Sequence, residues 1–204
     1  MEKTQSIRTT GTAAFLAALL FASTILGSPP ALAALDKITS STAIALNTPS
    51  APMAEAALVD VGIATFNDGL YLTDEDDTVF PEVRFAEAIY FSNQLAKVME
   101  KSGAWGAIRV IPNTDVVMDV YITGIILQSD GETMNLQITV ADTSGKKWFS
   151  KKYRHTTGKY AYDRRLKSMG DPFENLFVRI ANDVLAYREK LNENQAIELR
   201  TISE

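Results

Sequence analysis

A single histidine, a complete absence of cysteine and one crowded run of cations set the limits on what chemistry this chain can perform. His155 stands alone, so a histidine-rich zinc centre is excluded and any Ser-His-Asp triad must be built around that one residue. It closes a basic stretch with no nucleophile-elbow glycine pattern nearby, which favours a structural or solvated role. Asp74-Glu75-Asp76-Asp77 offers the oxygen ligands calcium takes, but consecutive carboxylates do not converge and the spacing is not that of an EF-hand, so a solvated loop is expected. Gly103-Ala104-Trp105-Gly106 lacks the lysine and the helix of a phosphate-binding loop. Trp105 and Trp148 read as core or half-buried anchors rather than sugar-stacking platforms, and no carboxylate pair for glycoside hydrolysis can be singled out. Without cysteine there is no thiol nucleophile, no cysteine metal site and no disulfide. No catalytic or metal-ligating residue is assigned and no cofactor is expected.

The basic and aromatic run is the most suggestive feature. Lys146, Lys147, Lys151, Lys152, Arg154 and Lys159 precede Tyr160, Tyr162, Arg164, Arg165 and Lys167, a positive segment in a chain of formal net charge -5. Lys147, Lys151, Lys152, Arg154, Arg164 and Arg165 are the candidate contacts to phosphate, lipid headgroups or an acidic protein. The plainer reading is that lysines on a sheet edge discourage pairing with another chain. Alternation along a strand puts Lys151 and Tyr153 on one face and Lys152 and Arg154 on the other, so these charges cannot all serve one ligand.

The elements that must hold these residues are legible from periodicity and punctuation. Leu58 to Phe66 reads as a strand apolar on both faces, with Val59, Val61 and Ile63 on one side, hence central in its sheet. Pro81 and Gly103 bound a helix over 82–102 with the stripe Ala88, Phe91, Leu95, Val98 and Met99, leaving Arg84, Glu87, Gln94, Lys97 and Lys101 for another face. Strands follow at 107–111 and 116–127. After Ser129-Asp130-Gly131 a fourth strand alternates Met134, Leu136, Ile138 and Val140 with Asn135, Gln137 and Thr139, which implies one solvated face. Asp142-Thr143-Ser144-Gly145 turns the chain into a fifth strand, 146–155, suited to a sheet edge. Asp171, Pro172 and Glu174 spell a capping box for a last long helix buried through Leu176, Phe177, Ile180, Val184 and Leu185. A short helix is expected within 192–204. Strand, helix, four strands and helix make an α+β fold, a mixed sheet with an antiparallel C-terminal meander and helices on one face.

The N-terminus carries an address. Lys3 and Arg8, the apolar stretch Ala13 to Leu26 and the small residues Ala31-Leu32-Ala33 occur in the order of a secretory signal peptide, with cleavage expected after Ala33. About fourteen apolar residues are too few to cross a bilayer core, so no transmembrane segment is expected in the mature form. The division read from the sequence is 1–33 signal peptide, 34–56 flexible Ala/Ser/Thr/Pro leader, 57–191 α+β domain and 192–204 short helix or tail. Cleavage leaves roughly 171 residues, the size of one domain with a real core. Its mildly acidic balance argues against general nucleic-acid binding.

Asp119-Val120-Tyr121-Ile122-Thr123-Gly124-Ile125-Ile126 and Val140-Ala141-Asp142-Thr143-Ser144-Gly145-Lys146-Lys147-Trp148 resemble a strand and a hairpin of small bacterial envelope domains. Those domains include the ABC-type transport auxiliary lipoproteins, the curli-secretion lipoprotein and the penicillin-binding-protein activator lipoproteins. The resemblance spans about 57–191 and implies an accessory or scaffolding role without a catalytic centre. The chain departs from these families where a lipid-bearing cysteine would stand, at Ala34, and in its long acidic loop. The expectation is a soluble, non-enzymatic periplasmic accessory or binding protein of the Gram-negative envelope, whose partner is an envelope protein or an anionic envelope component. The alternatives are a periplasmic hydrolase with an unrecognised carboxylate site and a binder of a small anionic ligand. Oligomeric state is left open.

Overall fold

The alternation Met134, Leu136, Ile138, Val140 becomes the inner face of a ten-residue strand, and the sheet is assembled outward from it. β4 (Thr133–Asp142) pairs antiparallel with β3 (Val120–Ser129) on one side and β5 (Lys147–Thr156) on the other. β3 pairs in parallel with β1 (Val61–Ala64), and β1 in parallel with β2 (Ile108–Ile111). The order β2-β1-β3-β4-β5 is a mixed sheet with an antiparallel meander, so the expected α+β class holds, with β1 internal and β5 at an edge. The computed structural model describes residues 43–72, 79–158 and 171–203. The expected signal peptide, 1–33, and the acidic run 74–77 lie outside them.

Two helices cover one face. α1 (Pro81–Lys101) starts on its proline and ends at Ser102, beyond which Gly103 takes the left-handed φ of 63° that favours glycine. It packs along α2 (Glu174–Arg188), with the Phe91 and Phe177 ring centroids 6.0 Å apart. Val61, Ile63, Ile122, Leu136 and Ile138 meet Leu95, Met99, Leu176, Ile180 and Val184 in a continuous core. Each such side chain contributes about 1.5–3 kcal/mol on burial. α3 (Glu193–Ser203) buries Ala196 and Leu199 and returns to the start of the domain, where Arg200 Nη1 donates to the Glu55 carbonyl at 3.1 Å.

Four expectations need correction. Arg84 is not on a wet face of α1: it is 4% exposed, because 84 precedes Ala88, Phe91 and Leu95 on the buried stripe at helical spacing, and Glu87 is drawn in with it, accepting from Ser129 Oγ at 2.6 Å. The capping box does not form. Asp171 Oδ1 accepts from the Phe173 amide at 2.8 Å and builds a turn, so α2 begins only at Glu174, with Phe173 at the cap. β3 begins at Val120 rather than 116. β2 ends level with Ala64 and β3 starts level with Val61, so the connection must run back along β1; Met118 does this across the open face, beside Ile111 and over Gly62, where a Cβ would stand 2.7 Å from Met118 Cγ. Finally, residues 44–50 of the expected leader, 34–56, are docked along α2 and its C-terminal cap. The Ile44 amide donates to Asn175 Oδ1, the Asn47 amide to Asn182 Oδ1 and the Ser50 amide to Glu189 Oε1, while Ile44, Leu46 and Met53 pack on the core. Small residues concealed this, because main-chain donors rather than apolar side chains do much of the holding.

Candidate functional site: the basic edge of the sheet

β5 ends the sheet, and its ten residues carry four of the cations singled out above. Register divides them. Lys147 stands opposite Ala141, Lys152 opposite Gln137 and Arg154 opposite Asn135, and residues directly opposite share a face, so these three project from the open side together with Ser150. Lys151 lies opposite Ile138 and turns to the helices. A register shift after Val140 inserts Trp148 as an extra residue. Both Trp148 and Phe149 then meet α2: Trp148 stacks on Tyr187 at 4.8 Å and 15°, and the Phe149 ring lies 6.4 Å from Tyr187.

The helix-facing cation is engaged internally. Lys151 Nζ donates to Asp183 Oδ2 at 2.7 Å, and the same oxygen accepts from the Tyr153 hydroxyl at 2.7 Å. Burial, followed by the hydrogen bond to Asp183 and then the Asp183 charge, raises the Tyr153 pKa far above its ordinary value, which keeps the phenol a donor. Arg179 reaches from α2 to donate through Nη2 to the Arg154 carbonyl at 2.7 Å, and burial lowers its pKa. That carbonyl therefore points away from β4. By the two-residue period of a strand, the main-chain groups of Lys152 and Ser150 point to the same outer edge, unpaired among the described residues.

The open-side cations differ. Lys147, Lys152 and Arg154 are exposed, their neighbours across β4 are neutral, and among the described residues no carboxylate pairs with them. Of the six candidate contacts, the structure thus gathers three, separates Lys151, and leaves Arg164 and Arg165 outside the described residues. His155 is buried beside Phe173, ring centroids 5.8 Å apart, and burial and then the Arg179 charge lower its pKa.

The carboxylates of the two motifs are occupied by the fold. Asp119 Oδ2 accepts from the Asp60 amide at 2.7 Å and Oδ1 from the Ser203 hydroxyl, tying β1, β3 and α3 together. Asp142 Oδ1 accepts from the Ser144 and Lys146 amides, each at 3.1 Å, and Oδ2 from Trp148 Nε1 at 2.9 Å. Trp105 and Trp148 are both buried. Among the described residues no group of three acidic or histidine side chains is placed to hold a metal, and no helix is long and apolar enough to cross a membrane.

One surface was not foreseen. The outer side of the first half of α1 exposes Val83, Phe85, Ile89 and Tyr90, with Phe80, Tyr71 and Leu72 before it. Phe85 and Ile89, four apart, were the available signal. Between the far end of α1 and the start of α2 lies a groove of about 550 Å³, where Lys97 and Lys101 face Asp171 and Glu174 above Val98 and Phe177.

An α+β domain with a mixed five-stranded sheet, helices on one face and a cationic edge strand is the class this geometry defines. The sequence matches no family model and no curated protein. Among solved structures, it is similar to the PelC dodecamer from Paraburkholderia phytofirmans, with 13% identity over 69% of this chain and 98% of that one, at a TM-score of 0.44. It is also similar to the hypothetical protein CT253 from Chlamydia trachomatis, with 12% identity over 65% of this chain and 99% of that one, at a TM-score of 0.41.

Proposed function

We propose that this chain is an exported, non-catalytic accessory protein of the bacterial cell envelope that binds a partner along the basic edge of its sheet. The observation that carries the reading is the trio Lys147, Lys152 and Arg154, set on the open side of an edge strand with neutral residues opposite, in a chain of net charge -5. Export to the periplasm is supported by the order of Lys3 and Arg8, Ala13 to Leu26, and Ala31-Leu32-Ala33. An accessory rather than catalytic role is supported by the engagement of Asp119 and Asp142 in strand and turn hydrogen bonds.

The test is crosslinking of the exported full chain in envelope fractions, compared with the double variant Lys152→Glu/Arg154→Glu. The variant is expected to lose the salt-sensitive adducts, because repulsion replaces attraction at the same places and added salt screens either. Identical adducts from both proteins would remove the basic edge from the function. N-terminal sequencing of the exported form should begin at Ala34; an intact Met1 in that form would refute the processing.

A further inference from the structure

Resting on that reading of β5, we infer that the ligand of the edge is an extended polypeptide segment with carboxylates at alternate positions, which joins the sheet as a sixth strand. The main chain offers the first half of the recognition. The Arg154 carbonyl faces outward, so the amide and carbonyl groups of Ser150 and Lys152 share the same edge, which no other strand pairs among the described residues. Arg179 occupies the carbonyl at Arg154 and the bulge at Trp148 interrupts the other end, which confines pairing to the stretch between them. Side chains offer the second half. An added strand sends every second residue to the open side, where its carboxylates meet Lys152 and Arg154 at the same two-residue spacing. A second copy of β5 fits poorly, since self-pairing sets cation against cation. A lipid surface also fits poorly, because the open side next to these cations presents the polar Asn135, Gln137, Thr139 and Ser150, while Ile125, one strand further in, is partly buried and projects no large apolar group beyond them.

The experiment uses the mature chain and a peptide of about eight residues alternating Thr and Glu, blocked at both ends. Its partners are the same peptide with alternate amides N-methylated, a Thr-Lys peptide, and phosphatidylglycerol vesicles. Anisotropy should report binding of the Thr-Glu peptide alone, weakening with salt. Amide exchange at Ser150 and Lys152 should slow. Lys152→Glu/Arg154→Glu should weaken binding about thirtyfold, as two favourable cross-strand pairs become unfavourable. If the N-methylated peptide binds equally and no amide slows, strand addition is wrong while a simple charge patch survives. Vesicle binding with the same charge dependence, or a concentration-dependent dimer without peptide, would hand the edge to a membrane or to a second copy and overturn the inference. If no peptide binds yet charge reversal abolishes the envelope adducts, the inference falls and the proposed function stands; if the adducts also persist, both fall.

Discussion

Gly124→Ala should be costly for a reason confined to one ring. A Cβ at position 124 would stand 2.6, 2.7 and 2.8 Å from three atoms of the Phe66 ring, where ordinary contact begins near 3.4 Å. Phe66 has little room to retreat. It is 3% exposed, its amide reaches the Ala88 carbonyl of α1, and the Asn67 amide donates to the Gly124 carbonyl itself at 2.8 Å. Overpacking of this kind costs about 1–3 kcal/mol, offset by about 0.5–1 kcal/mol because alanine loses less backbone freedom than glycine in a strand. The net loss should be about 1–2 kcal/mol by urea denaturation, with an unchanged m value. The decisive comparison repeats the substitution in a Phe66→Ala background, itself about 3–5 kcal/mol less stable, or in Phe66→Leu if too little of that protein folds. With the ring gone, Gly124→Ala should be neutral or stabilising by up to about 1 kcal/mol. An equal loss in both backgrounds would refute the steric argument and place the glycine requirement in the backbone.

Three further outcomes are expected. Leu176→Ala or Ile180→Ala should each lower stability by about 2–5 kcal/mol, and Arg179→Ala by about 1 kcal/mol through the lost bond to the Arg154 carbonyl; denaturant melts that rank Arg179 costliest would contradict the packing of α2. Asn182→Ala removes both the acceptor for the Asn47 amide and the donor to the Ala45 carbonyl, so proteolysis should quicken within 43–50 while the melting of the domain moves little; unchanged cleavage would show that apolar packing alone holds the segment. Burial and Arg179 hold the His155 pKa below its unfolded value near 6.5, against weaker opposition from the Pro172 carbonyl and Asp171; the unfolded chain therefore binds more protons in this window, and stability should fall as pH drops through about 6.5, a slope that His155→Gln should reduce.

Much of the fold was legible because its strongest signals are local. Strict alternation placed β4, and Asp-Gly-type turns placed both hairpins, where Gly131 and Gly145 do adopt φ of 83°. Proline and glycine bounded α1 nearly to the residue. What escaped was tertiary. Arg84 reads as a surface residue by type, and only its phase against Ala88 and Leu95 reveals that it is buried. The docking of 44–50 depends on Asn175, Asn182 and Glu189, more than a hundred residues away and polar, so no apolar pattern announced it. At the candidate site the split of Lys151 from Lys152 and Arg154 followed from strand period alone. The ion pair to Asp183 and the reach of Arg179 to the strand edge required α2 to be laid across β5.

The position of Lys147 joins the hairpin motif to the basic edge. Counting by twos from Lys152 sends position 147 to the opposite face, next to Lys151 and the helices. In the structure Lys147 shares the open side with Lys152 and Arg154, because the extra residue at Trp148 restores the phase. That bulge is held from two directions: Asp142 accepts the indole N–H while also bonding the Ser144 and Lys146 amides, and Tyr187 stacks on the indole from α2. The Asp, Gly and Trp of the motif therefore do more than close a turn. They set which face the first lysine of β5 occupies, so the carboxylate that reads as a turn former also fixes where a cation of the proposed edge site stands.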